Sequence, residues 1–462
     1  MTVGPSQSER TSVEDVERKS ISKQQDEQRE SNAPSPIPQP AEALDYADPP
    51  PVHSDPFKTH KWRAWTQFAA CSWSLFMAGW NDGTTGPLLP RIQEVYHVGY
   101  AVVSLIFITG CIGFVSGSVG NIWLNRKLGF GKSMVLGSIC QMVAYAIQSP
   151  SPPFPVFAIA YVINGFGISL QDAQSNGYIS NYHTNTATLM GIMHGVYGLG
   201  ALCSPLVATQ FSRQKHWSFH YLTSFGVALI NLIILVVVFR FRDQEACLRD
   251  VGQEPEEHEK EAAAEGGQYR RIFSLRTLHI IAGFTLVYVG VEVTIGGWIV
   301  TYIIKERGGG DTSGYISSGF FGGLALGRVC LLPLNTFIGE RRAVLVYILL
   351  AIGLELVVWL VPTLIAGAVS VSFVGLLLGP VYPIIMNESG RILPRALLTG
   401  CIGWIAGLGQ AGSAVLPFMT GAIASGTNIG ALQPLLISMM GLLLILWAII
   451  PWVQRSEARK VG

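Results

Sequence analysis

The chain has 462 residues, of which 49% are hydrophobic and only 13% are charged, and its mean hydropathy is +0.39. Charged residues make up about a quarter of a typical soluble domain, so this composition excludes an ordinary soluble protein. The formal net charge of +1 gives no basic footprint for a nucleic-acid partner.

Residues 1–60 are polar and rich in proline, for example from Ser35 to Pro40 and from Pro49 to Pro51. Such a segment cannot bury enough apolar surface to fold, and we expect a disordered cytosolic tail. There is no apolar core near Met1 that would indicate a cleaved signal peptide.

Twelve apolar segments follow, each near the length of about 20 residues that a spanning helix needs. They lie at 62–82, 100–124, 132–149, 154–176, 186–211, 219–240, 277–304, 313–335, 341–361, 363–386, 397–424 and 430–453. The ninth and tenth are the weakest pair, because Pro362 and Thr363 leave them almost no loop. The sequence thus predicts an all-α membrane protein with twelve transmembrane helices.

A basic loop occurs twice, each time after the second of six apolar segments. The first copy has Arg126 and Lys127 before Gly129, and the second has Arg341 and Arg342 after Gly339. Arg328, near the start of the second copy, is assigned to the same gating loop, with its side chain reaching towards the cytosolic surface.

The repeat predicts two pseudo-symmetric halves of six helices. The predicted domains are a tail at 1–60, an N-terminal half at 61–240, a cytosolic linker at 241–275, a C-terminal half at 276–454 and a cytosolic tail at 455–462. Spans five and eleven strengthen the symmetry, since both combine small residues for close helix approach with a proline, Pro205 or Pro417.

Lys and Arg residues predict the orientation. With twelve spans and a cytosolic N-terminus, and counted from residue 58 without the linker, thirteen of them fall in the cytosolic tails and short loops and five in the outer loops. This bias favours both termini on the cytosolic side.

The seven cysteines contain no CxxC pair, so neither a metal nor a redox site is expected. The stretch from Gly129 to Ser133 resembles a phosphate loop, but Arg126 stands where that loop needs glycine. No enzyme motif and no cofactor are predicted.

Glu292 lies in the middle of span seven and shares a helix face with Tyr288. A charged side chain at the bilayer centre costs about 2.5–3.5 kcal/mol, so we expect a reason for it, either proton coupling or a hydrogen bond to a neighbouring helix. Tyr288 and Trp298 of this span are predicted to bind the solute.

Span four has a dense polar run that includes Asn164, Gln171 and Asp172. Asn164 and Gln171 are seven residues apart, and amides on one face would suit a hydroxylated solute. Asp172 is a candidate for proton coupling, or else a residue of the wet cytosolic end.

Four further positions complete the predicted binding set. His194 and Tyr197 lie one turn apart in span five, where the histidine could couple to protons or simply pack. Tyr382 and Gln410 are cavity candidates. Asp82, beside two glycines in span one, is either a coupling site or a polar helix end.

The basic loops resemble the signature loops of the major facilitator superfamily over about residues 60–455, with Asn125 and Asn335 standing near its usual acidic residue. The runs from Asn81 to Pro90, from Met193 to Gly200 and from Val291 to Trp298 are similar to the fucose-permease-like branch and its fungal sugar-transporter-like relatives.

This resemblance implies a secondary active transporter that works by alternating access. We expect it to be proton-coupled, to move a small polar solute such as a sugar, and to act as a monomer in the plasma membrane, with an internal membrane as the alternative. Two other functions stay open: efflux of a fungal secondary metabolite or toxic compound, and a nutrient sensor that does not transport.

Overall fold

A computed structural model describes residues 60–182, 185–253, 268–394 and 397–461. The predicted tail at 1–60 lies outside these residues except for His60, and so do residues 254–267 of the predicted linker. The described residues all belong to one compact unit.

The long secondary-structure elements of the described residues are all α-helices. The helices of the first part are α1 (Lys61–Tyr96), α2 (Tyr100–Val103), α3 (Leu105–Leu128), α4 (Phe130–Gln148), α5 (Phe154–Ser180), α6 (Thr186–Ser212), α7 (His220–Phe239) and α8 (Gln244–Arg249). The second part has α9 (Gln268–Ser274), α10 (Arg276–Glu306), α11 (Tyr315–Cys330), α12 (Leu332–Ile338), α13 (Glu340–Leu360), α14 (Leu364–Leu378), α15 (Val381–Ile392), α16 (Leu398–Gly426) and α17 (Leu432–Val461).

Ten helical stretches of the described residues are long and apolar enough to cross a membrane. An eleventh is present if Asp311–Cys330 and Leu332–Ile338, which meet at a bend of 56°, form one broken span. The remaining predicted span is the first, which corresponds to α1, whose mean hydropathy is lowered by polar residues such as Gln67, Asn81 and Asp82. An all-α multi-pass membrane protein is confirmed, and the number twelve depends on counting α1.

The ninth and tenth predicted spans are separate helices despite their short connection. Helix α13 ends at Leu360, because Pro362 favours an extended conformation at Val361 and cannot continue the helix. Thr363 then caps α14 by accepting a hydrogen bond from the Ala366 amide at 3.4 Å.

The same helix pairings occur in both parts of the chain. Helix α1 packs on α6 and α3 on α5, while α10 packs on α16 and α11 on α14. These are the first-with-fifth and second-with-fourth pairs of each predicted half, so the internal symmetry seen in the sequence extends to packing.

Glycine permits the closest of these pairings. A Cβ atom at Gly79 of α1 would overlap the Tyr197 carbonyl of α6, and one at Gly200 would overlap the Phe76 carbonyl. In the second part, a Cβ atom at Gly412 of α16 would overlap the Leu286 carbonyl of α10. The close approach predicted for spans five and eleven, each to a neighbouring helix, is therefore confirmed. It arises because glycine leaves no side chain between the two backbones.

We call the end of the bundle at which α1 begins the inner end, and the opposite one the outer end. Contacts between the two parts close the outer end: the Ala101 amide donates to Ser425 Oγ at 2.8 Å, and the Trp298 and Tyr100 rings lie 5.9 Å apart. Deeper in, Gly86 of α1 lies against the Gly296 carbonyl of α10. A space between the two parts can therefore open only towards the inner end.

Helix α8, in the predicted linker, packs on the inner end of the first part. Cys247, Leu248 and Val251 are fully buried in one cluster with Phe68 and Phe239. The start of the linker is thus a folded part of the first half.

Candidate functional site

Asp82 lies in the middle of α1 and is exposed, although the glycines on either side of it are buried. Its Oδ2 accepts a hydrogen bond from the Tyr197 hydroxyl at 2.7 Å, and its Oδ1 accepts one from Asn81 Nδ2 at 3.3 Å. Because the outer end is closed, the exposed face of Asp82 borders the space that opens inwards. Of the two predicted roles, a polar helix end is excluded by this position at mid-depth.

Asn81 and Asn164 extend the polar cluster from α1 to α5. Asn164 Nδ2 donates to Asn81 Oδ1 at 2.5 Å, and Asn164 is only 1% exposed. The Asn164 Oδ1 atom has no hydrogen-bond partner among the described residues. A buried acceptor without a partner is costly, so this atom is available to a solute hydroxyl or a water molecule.

Arg328 of α11 lies between Tyr197 and Glu292. Its guanidinium carbon is 5.8 Å from the centre of the Tyr197 ring, and its Nη2 is 3.8 Å from Glu292 Oε1. The two charged side chains are only 15% and 12% exposed. Removing one partner from such a buried pair typically costs about 3–5 kcal/mol, so Arg328 and Glu292 depend on each other.

This position corrects the prediction for Arg328. The predicted place of Arg328 is the gating loop, but the bend after Cys330 and helix α12 separate it from the turn at Gly339. Its guanidinium contacts groups at mid-depth instead of the cytosolic surface. The Nε atom of Arg328 lacks a partner among the described residues, which leaves a donor next to the cluster.

We call Asn81, Asp82, Asn164, Tyr197, Glu292 and Arg328 the central cluster. It joins α1, α5 and α6 of the first part to α10 and α11 of the second part, and it contains two carboxylates and one guanidinium. Sequence reasoning missed Asn81 as a site residue, although the adjacent Asn81-Asp82 pair inside a long helix was a signal for it.

Tyr288 lies one turn from Glu292, as predicted, but its hydroxyl is already used. It is fully buried and donates to the Leu378 carbonyl at 2.8 Å. Its ring lies 6.4 Å from that of Tyr382, which is only partly buried. Tyr382 is therefore the more accessible of the two aromatic candidates.

Gln171 and Trp298 are placed away from the cluster. Gln171 is 1% exposed and bonds to Gln141 at 2.9 Å and to Asn231 at 3.0 Å, so its amide joins α5 to α4 and α7. Trp298 is fully buried and donates to the Pro417 carbonyl at 2.9 Å in the outer closure. Asn164 and Gln171 bond to different helices, Asn164 to α1 and Gln171 to α4 and α7.

Three other predicted residues lie outside the central cluster. Asp172 is partly buried and accepts a hydrogen bond from Asn176 Nδ2 at 3.0 Å, two turns along α5 from Asn164. His194 is partly buried one turn before Tyr197. Gln410 of α16 contacts α3, since its carbonyl accepts from Cys111 Sγ at 3.4 Å.

The repeated basic loop forms the same turn in both parts. Gly129 and Gly339 have φ values of 78° and 88°, a left-handed conformation that favours glycine. Lys127 lies 4.8 Å from the Trp123 ring, while Arg126 is exposed.

The second loop has acidic partners that the motif itself lacks. Arg341 Nε lies 2.8 Å from Glu388 Oε2, and Arg391 joins Glu388 to Glu340 at 3.2 and 2.6 Å. Glu388 of α15 thus supplies a carboxylate to this loop, in which Asn335 stands near the position of the usual acidic residue.

An all-helical membrane bundle whose two parts repeat the same pairings around a polar, inward-opening cluster defines a secondary transporter. A model of the Major Facilitator Superfamily matches residues 71–325. This is more than half of the chain, and the protein belongs to that superfamily.

Two relatives match most of the chain. "Bypass of stop codon protein 6" of Saccharomyces cerevisiae is 25% identical over 408 residues, which are 83% of this chain and 82% of the relative. The glucose/mannose transporter GlcP of Bacillus subtilis is 21% identical over 356 residues, which are 75% of this chain and 85% of that protein. The predicted similarity to sugar transporters and to a fungal relative is confirmed.

Solved structures agree on the fold. The structure of a D-xylose-proton symporter has a TM-score of 0.68 at 12% identity and covers 83% of this chain and 97% of its own. That of the Escherichia coli fucose:proton symporter FucP has a TM-score of 0.57 at 15% identity, with 83% and 98% covered.

Proposed function

We propose that this protein is a proton-coupled sugar transporter in which the central cluster binds both the solute and the proton. The observation that carries the proposal is the connection from Asp82 through Tyr197 and Arg328 to Glu292, which crosses from one half to the other. The names of the relatives, which include glucose, mannose and xylose transporters, support the solute class.

The chemistry of the cluster suits a neutral, hydroxylated solute. Asn164 Oδ1 is an acceptor without a partner and Arg328 Nε is a donor without one, and each sugar hydroxyl both donates and accepts. The Asn81 and Tyr197 side chains of the central cluster offer further hydrogen-bonding groups.

Coupling follows from the charge of the cluster. Two carboxylates and one guanidinium carry a net charge of −1 when all are ionised. The halves must close over the cluster to change access, and burying an unbalanced charge is expensive. A proton on Asp82 brings the net charge to zero. The protein therefore passes through the closed state more easily with both the solute and the proton bound than with the solute alone.

Proteoliposomes with an imposed pH gradient test this proposal. We expect a panel of hexoses and pentoses to include at least one that accumulates when the gradient is applied. Asp82→Asn should lower gradient-driven accumulation at least tenfold and leave exchange of the same sugar across the membrane in place, because the solute groups remain.

Glu355→Gln is the matched control, since Glu355 is a fully buried carboxyl of α13 outside the central cluster. Accumulation that is unaffected by Asp82→Asn, or a panel in which no sugar moves, would contradict the proposal. Movement of sugar outwards with the proton gradient would assign the protein to export.

The remaining predictions about the whole protein stay proposals. We propose that it is a monomer in the plasma membrane with both termini in the cytosol and halves at 61–240 and 276–454. The thirteen-to-five distribution of Lys and Arg supports the orientation, which makes the inner end cytosolic. Protease accessibility of tags at both termini in sealed cells tests it.

A further inference from the structure

A cavity of about 250 Å³ lies at the inner end of the second part, between α10, α13, α15 and α17. We infer that it binds the headgroup of an anionic phospholipid. Arg341, Arg342 and Glu388 form its charged rim, and Ile281, Trp447 and Pro451 contribute apolar walls. No residue of the central cluster lines it, so this site is independent of the solute site.

The rim has one positive charge in excess. Glu388 is bound by Arg341 at 2.8 Å and by Arg391 at 3.2 Å, and Arg391 also binds Glu340 at 2.6 Å. Two carboxylates are thereby balanced by two guanidinium groups. Arg342 is exposed, and its side chain makes no ion pair or hydrogen bond with any described residue, which leaves its guanidinium available for an anion.

The walls indicate that the anion belongs to a lipid. The Trp447 indole donates to the Arg341 carbonyl at 2.9 Å and so fixes an aromatic wall beside the charged rim. The outward faces next to the cavity are apolar and exposed, with Val346 40%, Ile449 37% and Trp452 72% exposed. An exposed apolar face of α13 and α17 is where acyl chains would lie, while the phosphate reaches Arg342.

The size of the cavity agrees with this arrangement. About 250 Å³ is slightly below the usual range for sites that enclose a drug-sized ligand, about 300–1,000 Å³. This volume is sufficient for a lipid headgroup inside the cavity with its acyl chains outside. A free phosphate would use Arg342 and leave the apolar walls unused.

Native mass spectrometry of the purified full chain tests the inference with two lipids of identical chains, phosphatidylglycerol and phosphatidylcholine. We expect phosphatidylglycerol to be retained preferentially. Arg342→Gln should lower that retention about fivefold, as expected for the loss of one basic residue near a lipid headgroup. Ala448→Trp, which fills the cavity from α17, should lower it to a similar extent.

Arg240→Gln is the control, because Arg240 is an exposed arginine at the end of α7, remote from this cavity in the chain and not part of its lining. Gel filtration and melting temperature verify that each variant is folded. Equal retention of both lipids, or wild-type retention in Arg342→Gln or Ala448→Trp, would overturn the inference. Displacement of the lipid by an equal concentration of inorganic phosphate would also overturn it, because the ligand would then be a free anion.

Discussion

At the scale of single residues, Tyr197 has two roles in the central cluster. Its hydroxyl donates to Asp82 in the same half, and its ring faces the Arg328 guanidinium of the other half. A substitution can remove the hydroxyl and keep the ring. The contact with Asp82 can therefore be tested separately from the contact between the halves.

Tyr197→Phe removes the hydrogen bond to Asp82 and keeps the ring. A hydrogen bond to a charged group contributes about 1.5–3 kcal/mol, so the loss should change proton affinity by at least tenfold. We expect the pH at which gradient-driven uptake is half-maximal to shift by about one unit, while the affinity for the sugar changes less. The measurement is uptake against pH in proteoliposomes.

Tyr161→Phe provides the comparison, because the Tyr161 hydroxyl bonds to that of Tyr221, at 3.2 Å, and Tyr161 is not part of the central cluster. An unchanged pH profile in Tyr197→Phe would show that the hydroxyl does not tune Asp82.

At the scale of elements, α8 is attached to the first half by burial and by an ion pair between Asp250 and Arg63 of α1, 3.7 Å apart. Arg242 lies 2.7 Å from Asp250, and the hydrogen bond to that carboxylate raises the pKa of the Arg242 guanidinium. Burial against the bundle raises the pKa of the Cys247 thiol to about 11. Since the thiolate is the reactive form, Cys247 should react slowly near neutral pH as long as α8 stays docked.

Asp250→Asn should loosen α8. A partly exposed ion pair contributes up to about 1 kcal/mol, so we expect the alkylation rate of Cys247 by N-ethylmaleimide to rise by up to about fivefold. Peptide mass spectrometry resolves the label on each cysteine.

Glu245→Gln makes the same change of charge at an exposed position of α8 and should leave the rate as it is. The exposed Cys330 on α11 reports any general effect on reactivity. Equal rates at Cys247 in all three proteins would show that the pair does not hold α8.

At the scale of the whole molecule, the halves meet at the outer end while the central cluster is open to the inner end. Alternation of access requires the outer contacts to separate. The Ala101 amide and Ser425 Oγ, 2.8 Å apart, belong to opposite halves and mark this closure.

Paired cysteines at these positions should lock the closure. We expect the double variant Ala101→Cys and Ser425→Cys to lose transport on mild oxidation and to regain it with a reductant, because the disulfide holds the outer end shut. The single variants, treated in the same way, control for the other cysteines. Full transport by the cross-linked protein would contradict an outer closure that must open.

The sequence predicted Asp82, Tyr197 and Glu292 because an ionisable or polar side chain inside an apolar span requires a partner. It misplaced Arg328 and Gln171 for one reason: spacing along a helix gives the angle of a side chain but not the neighbour it meets. Arg328 turned inwards to Glu292, and Gln171 turned to the buried amides of α4 and α7.

The amino-acid sequence by itself determined the membrane class, the repeated loop and the small-residue stretches of spans five and eleven, because these depend on local hydropathy and on residues with little or no side chain. Only the tertiary structure decided which charges meet. Arg328 and Glu292 come from different helices, and Tyr197 and Asp82 are 115 residues apart in the chain. Such pairs form only where packing brings distant parts of the chain together, and that is a property of the assembled helices.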